Sequence, residues 1–163
     1  HEPKPPLILT NVFVAESRSE AFERGEQYLG AKWDSIDNHY KFSDGHLATV
    51  KGYESYGKMA KTYSKMKDPE ARKKMTKFYV KIQIVGTPDD CVQQIAELRH
   101  LTGTDHIVCD FSYGGMPHEQ GELNLRLFAS EVMPTLQRDT SFKKPIDQPQ
   151  IKEPQAEDIF VPA

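Results

Sequence analysis

The chain has 163 residues, 37% of them hydrophobic and 10% aromatic, and a formal net charge of −3. This length suits one domain with a sizeable core, and no stretch approaches the roughly eighteen apolar residues of a membrane-spanning helix. The acidic balance gives no general attraction to nucleic acid or anionic lipid, so we expect neither partner. Two isolated cysteines predict neither a disulfide framework nor a zinc site, which favours a cytoplasmic setting.

The first predicted unit is a strand followed by a helix. Residues 7–15 are rich in β-branched and aliphatic side chains, as in a buried strand. Ser17 precedes Glu20 by three residues, which is the spacing of a capping box with reciprocal side-chain hydrogen bonds. Apolar residues then recur at three- and four-residue steps, so a helix is expected to run to about Ile36.

A basic insertion is predicted at about residues 38–80. It begins with an aperiodic stretch, and helices are expected near residues 53–66 and 68–79, the second starting at Asp68-Pro69-Glu70. Between Lys51 and Lys81 there are ten basic residues and three acids, with tyrosines interleaved. A solvated helix surface is the favoured interpretation. A lid over a pocket and contact with single-stranded nucleic acid are the alternatives, and the acidic charge of the whole chain disfavours the last.

Two more strand–helix units follow. Residues 81–85 predict a short strand, and Thr87-Pro88-Asp89-Asp90 predicts the capped start of a helix that ends at Gly103. Residues 105–111 predict a third strand, and the last helix is expected from Pro117 to Pro134. The remaining residues, 137–163, carry four prolines and are expected to form a loosely ordered tail.

Three such units predict α/β layering with parallel strands. The architecture is incomplete, because an eight-unit barrel needs about 250 residues and an open three-stranded sheet leaves long edges bare. We therefore expect one domain over residues 1–136, with three parallel strands side by side, flanking helices and a hydrophobic edge exposed where a fourth strand would lie.

Four motifs between residues 7 and 136 occur in an order that is typical of one enzyme family. They are Val12-Phe13-Val14-Ala15-Glu16-Ser17, Gly86-Thr87-Pro88-Asp89-Asp90, Gly103-Thr104-Asp105-His106-Ile107, and Leu125 to Leu136 with the pattern L-x-L-F-A-x-E-V-x-P-x-L. Together they resemble the sixth strand, the segment after the seventh strand, the start of the eighth strand and the final helix of the luciferase-like monooxygenases. The resemblance is weakest in the basic insertion.

This resemblance implies the C-terminal portion of a TIM (β/α)8 barrel from a flavin-dependent oxidoreductase. In that family reduced FMN, or a deazaflavin, reacts with O2 to give a C4a-(hydro)peroxide that oxidises a small organic substrate, and a flavin reductase can supply the reduced cofactor. The main flavin contacts are expected upstream of this chain, so we expect it to bind no flavin and to be inactive alone. The alternative is a non-catalytic α/β remnant or interaction module derived from the same fold, and an oligomer is compatible with either.

Position after the last strand selects the pocket candidates, because loops at the carboxyl ends of barrel strands carry function. These candidates, for substrate or flavin contact, are Asp110, Ser112, Tyr113, Gly114, Gly115, Met116 and His118. Each has a structural alternative: a turn carboxylate for Asp110, a positive-φ turn for the glycines, packing for Met116 and a solvated helix start for His118. The sequence identifies no catalytic residue and no metal-ligand cluster.

Overall fold

A computed structural model of the chain describes residues 5–65, 68–139 and 142. It is a mixed α/β fold with a three-stranded parallel sheet and flanking helices. The elements in chain order are β1 (Leu7–Val14), α1 (Arg18–Tyr40), two 3₁₀ turns (Phe42–Asp44 and His46–Thr49), α2 (Glu54–Lys65), α3 (Pro69–Lys81), β2 (Ile84–Gly86), α4 (Pro88–Thr102), β3 (His106–Asp110), α5 (His118–Leu127), a π-helical segment (Phe128–Val132) and α6 (Met133–Arg138).

The sheet has the strand order β2-β1-β3, with the first strand in the centre. β1 pairs with β2 through Val12–Val14, at its C-terminal end, and with β3 through residues 7–11. The connection from β1 to β2 and the connection from β2 to β3 run across the sheet in opposite directions. Right-handed crossovers then require the helices of these two connections to lie on opposite faces. The helices are arranged in this way, with α1 and α3 on one face and α4 and α5 on the other.

The two sides of β1 separate the core into two clusters. Phe13 and Ala15 pack with residues of α1 and α3 on one face. Val12 and Val14 pack on the other face with residues of α4 and the π-helical segment. The alternation follows from the two-residue period of a strand, and burial on both faces explains why β1 reads as a continuous apolar run.

Side-chain amides pair with strand backbone that has no neighbouring strand among the described residues. Gln94 of α4 accepts a hydrogen bond from the Val85 N–H and donates one to the Val85 carbonyl, both at 2.9 Å, along the outer edge of β2. The side chain of Gln83, the residue directly before β2, accepts a hydrogen bond from the Asn11 N–H at 2.9 Å. These amides reduce the cost of leaving a strand edge unpaired.

The predicted strands and helices are confirmed in type, with shifted ends. Lys81 belongs to α3 rather than to the second strand, because the α3 hydrogen bonds continue through it. α1 runs to Tyr40, beyond the expected end, and Lys41 ends it in the left-handed conformation. α6 extends to Arg138 and so includes the first two residues of the predicted tail. Of the rest of the tail, only Asp139 and Phe142 are among the described residues.

The insertion lies at the amino-terminal edge of the sheet. α1 begins beyond the carboxyl end of β1 and is about 34 Å long, so its end passes the opposite edge. α2 packs mainly against the two 3₁₀ turns, and α3 leads from there into β2. This position disagrees with the lid hypothesis, because a lid would have to lie at the carboxyl edge.

The strand order also differs from that of a barrel segment. Strands of a (β/α)8 barrel pair with their neighbours in the chain, which would give β1-β2-β3, and all barrel helices lie on the outer face. Here β1 separates β2 from β3 and both faces carry helices. The exposed apolar side chains Leu7, Leu9 and Val108, which are 65%, 64% and 43% exposed, lie on a face of β1 and β3 rather than at the sheet edge where a fourth strand would pair. No helix among the described residues is both long and apolar enough to cross a bilayer.

Candidate functional site

A groove of about 830 Å³ opens at the carboxyl end of β1. The chain leaves β1 for α1 on one face and leaves β3 for α5 on the other, which makes this edge the topological switch point of the sheet. Ligands of open parallel sheets bind in the crevice at such a point. The groove is lined by Val14, Ala15, Glu16, Glu20, Gln120, Leu123, Asn124, Arg126, Leu127, Ala129 and Ser130.

The first wall of the groove is the β1–α1 connection. Ser17 caps α1 by accepting a hydrogen bond from the Glu20 N–H at 3.3 Å. Only this half of the predicted capping box is observed, and the Glu20 side chain lines the groove instead. The neighbouring Arg18 is held by a bidentate ion pair with Asp90, with contacts of 2.5 to 3.1 Å, so its charge is directed to α4.

The second wall is α5 and the π-helical segment after it. Five residues, Phe128–Val132, adopt the wider π-helical winding, and Ala129 and Ser130 of this segment line the groove. Single π-helical turns are rare and occur frequently at functional sites. The inward side chains Phe128 and Val132 remain in the core, so the change of winding leaves the packing intact.

Asn124 forms the floor between β1 and β3. Its side chain is 1% exposed and bonds three backbone groups: Nδ2 donates to the carbonyls of Val12 at 2.8 Å and Phe111 at 3.2 Å, and Oδ1 accepts from the Val14 N–H at 2.9 Å. Since β3 pairs with β1 only as far as Asn11, these groups lie beyond the end of the strand pairing. The Asn124 amide therefore links the backbone of β1 to the backbone after β3, where the two strands no longer pair, and lies at the base of the groove.

Asp110 takes part in a polar cluster on the α1 face rather than in the groove. Its Oδ1 accepts a hydrogen bond from the Ser112 N–H, as expected of a turn carboxylate, and its Oδ2 lies 2.8 Å from Lys32 Nζ. The same Nζ donates to Asn11 Oδ1 at 2.5 Å. Asn11 in turn donates to the hydroxyl of Tyr79, so the cluster joins β1, β3, α1 and α3. Its groups satisfy one another, which is typical of a structural network.

Tyr113 and Met116 are buried in the core cluster of the α1 face. The Tyr113 hydroxyl donates to the Val12 carbonyl at 3.2 Å, and burial, with smaller contributions from Asp110 and Tyr79, raises its pKa. Gly114 and Gly115 form the predicted turn, with φ values of +62° and +71°. A Cβ on Gly114 would overlap the carbonyl oxygen of Tyr28, so this loop lies close against the backbone of α1. The remaining candidates, Ser112 and His118, are exposed.

None of the seven candidate residues lines the groove. The residues that do come from the carboxyl end of β1, from the connection into α1 and its first turn, from α5 and from the π-helical segment. Glu16 was detectable from its place after the first strand, by the same rule that selected Asp110 after the third. The contribution of α5 depends on how that helix packs, for which periodicity gives only the buried side.

The chemistry of the groove does not fit a flavin phosphate. Such a group requires cations or free backbone N–H donors, whereas Glu16 and Glu20 bring carboxylates and Arg126 is paired with Glu122 at 2.6 Å. Within the part of the chain described, no three His, Cys, Asp or Glu side chains are placed to hold a metal ion. No family model matches the chain.

Proposed function

We propose that the chain is the C-terminal part of a flavin-dependent monooxygenase that resembles the luciferase-like family, and that its groove forms one wall of the pocket for a small organic substrate. In the complete enzyme the bound flavin would supply the oxidising chemistry. The residues of this chain would position the apolar part of the substrate and shield it from water.

The groove carries this proposal. It is built from the two motifs that lie farthest apart in the sequence, Val14-Ala15-Glu16 of the first and Leu127, Ala129 and Ser130 of the last. The volume of about 830 Å³ lies in the range of small-molecule pockets, which is about 300–1,000 Å³. The middle two motifs have structural roles: Thr87 and Asp90 form a complete capping box, and Gly103 ends α4 in the left-handed conformation.

The proposal assigns the flavin contacts to further βα units on the N-terminal side. The test is therefore comparative. We expect a gene product that includes those units to retain FMN through gel filtration and to consume O2 when reduced FMN is added, and we expect the 163-residue chain to do neither. Absence of both properties from the longer product would refute the proposal.

A variant connects the groove with turnover. Ala129→Trp places a large ring on an exposed groove position without entering the core. Substrate oxidation should fall while FMN retention is unchanged. The matched control is Ala31→Trp, at an exposed position of α1 that does not line the groove.

The alternative is a non-catalytic α/β module, and the strand order favours it specifically. β2-β1-β3 with helices on both faces is an arrangement in which side-chain amides pair with strand backbone that a barrel would pair with other strands. A barrel would instead place β2 between β1 and β3 and would separate the two walls of the groove. The groove therefore supports the enzyme proposal only in a domain that keeps β1 beside β3, and FMN retention and O2 consumption by the longer product discriminate between the two functions.

A further inference from the structure

The groove combines an apolar body with two carboxylates at one end. Leu127 and the largely buried Val14 and Ala15 line its apolar part, and Glu16 and Glu20 are exposed on the α1 side. Neither glutamate forms an ion pair among the described residues. The opposite charge at the rim, Arg126, is paired with Glu122.

The usual ways to hold an anion at this end are already occupied. The Glu20 N–H in the first turn of α1 donates to Ser17 Oγ. The guanidinium of Arg18 is bound to Asp90, and the side-chain hydrogen bond from Arg18 is the largest cause of the lowered pKa of that carboxyl. The uncompensated charge at the groove is therefore negative.

We propose that the groove binds an organic cation with an aliphatic chain, such as an alkylammonium, with the ammonium group between Glu16 and Glu20 and the chain along Val14, Ala15 and Leu127. This inference rests on the proposed function in that it assigns a substrate class to the same groove. Charge complementarity supplies the selection, since a carboxylate ligand of equal length would meet two like charges.

The test uses three probes of equal chain length: hexylammonium, hexanol and hexanoate. Each is titrated into the 15N-labelled 163-residue chain, and binding is followed from amide shifts. We expect hexylammonium to bind about three- to tenfold more tightly than hexanol, as two solvent-exposed ion pairs allow, and hexanoate to bind least. The largest shifts should lie at the β1–α1 connection and in residues 123–130.

The double variant Glu16→Gln/Glu20→Gln should remove the preference for the cation while hexanol binding is retained. Glu23→Gln is the matched control, because Glu23 is exposed on the same helix but does not line the groove. Equal binding of hexanoate and hexylammonium, an unchanged preference in the double variant, or no binding of any probe would overturn the inference. The titration needs no flavin, so its result is independent of FMN retention by the longer product.

Discussion

Replacement of Asn124 by leucine tests whether its amide stabilises the fold by linking the backbones of β1 and of the segment after β3. The two side chains are similar in size, so the main change is the loss of the three hydrogen bonds to Val12, Val14 and Phe111. The Val12 carbonyl keeps the Tyr113 hydroxyl as a donor, whereas the Val14 N–H and the Phe111 carbonyl lose the amide partner.

A buried polar group left without a partner costs about 1–3 kcal/mol, so two such groups cost about 2–6 kcal/mol. Burial of the leucine offsets about 1–2 kcal/mol, and the middle of the two ranges gives an expected net loss of about 2–3 kcal/mol. That is a large part of the about 5–15 kcal/mol by which a domain is stable. Urea unfolding followed by far-UV circular dichroism measures the loss as a lower midpoint at unchanged m-value.

The matched control is Asn38→Leu, an exposed asparagine of α1, which should change the free energy of unfolding by less than about 0.5 kcal/mol. If Asn124→Leu loses less than about 1 kcal/mol, the amide does not stabilise the fold by this link and the floor of the groove must be assigned differently.

Three further perturbations address the ion pair, the glycine turn and the strand order. The pKa of Asp90 is lowered, first by its hydrogen bond from Arg18, so its contribution is fully present above the ordinary carboxyl pKa and declines as the pH falls toward the lowered pKa. Asp90→Asn should therefore lower the melting temperature near neutrality, and by less at about pH 2. Gly114→Ala should destabilise by more than about 1 kcal/mol in chemical unfolding, because its methyl group would overlap the α1 backbone. Leu9→Cys/Val108→Cys should form a disulfide on mild oxidation, seen as a gel shift, because these residues are paired on adjacent strands.

Each of these perturbations has a matched control. Arg18→Gln should reproduce the pH dependence of Asp90→Asn, and a constant difference at both pH values would contradict the ion-pair argument. Gly115→Ala changes a glycine of similar φ with open space around it, so it should cost less than Gly114→Ala, and an equal cost would remove the steric explanation. Leu7→Cys/Val108→Cys is two residues out of register and should cross-link poorly, whereas equal cross-linking would contradict the pairing.

Local structure was predictable where one residue type determines it. The capping box of Thr87 and Asp90 and the positive φ of Gly114 follow from short-range chemistry and are observed as expected. The Ser17 box is observed only in part, because its second hydrogen bond requires Glu20 to fold back onto the cap, and in the structure that side chain lines the groove. A spacing rule gives the possibility of such a bond, and the surroundings decide whether it forms.

The candidate site was less predictable for a different reason. The residues after the third strand were expected to face a pocket, yet Tyr113 and Met116 turn inward and complete the core. The side chain of a residue that follows a strand can face a pocket or pack in the core, and its orientation here depends on how closely the loop approaches α1. Here Gly114 permits that approach, which removes the loop from the pocket wall and leaves α5 to supply it.

Strand order lies beyond what hydrophobic periodicity encodes, since any buried parallel strand shows the same apolar run. Side-chain amides that pair with the backbone of a strand edge indicate strand order more directly. Gln94 bonds both backbone groups of Val85 on the side of β2 away from β1, which is the side where β3 would pair in a barrel. Formation of a barrel would therefore have to displace Gln94 from the Val85 backbone and separate Asn124 from the sheet. Retention of both contacts in a longer product would show that the domain is not a barrel, and their loss would show that the groove is not the substrate pocket of the complete domain.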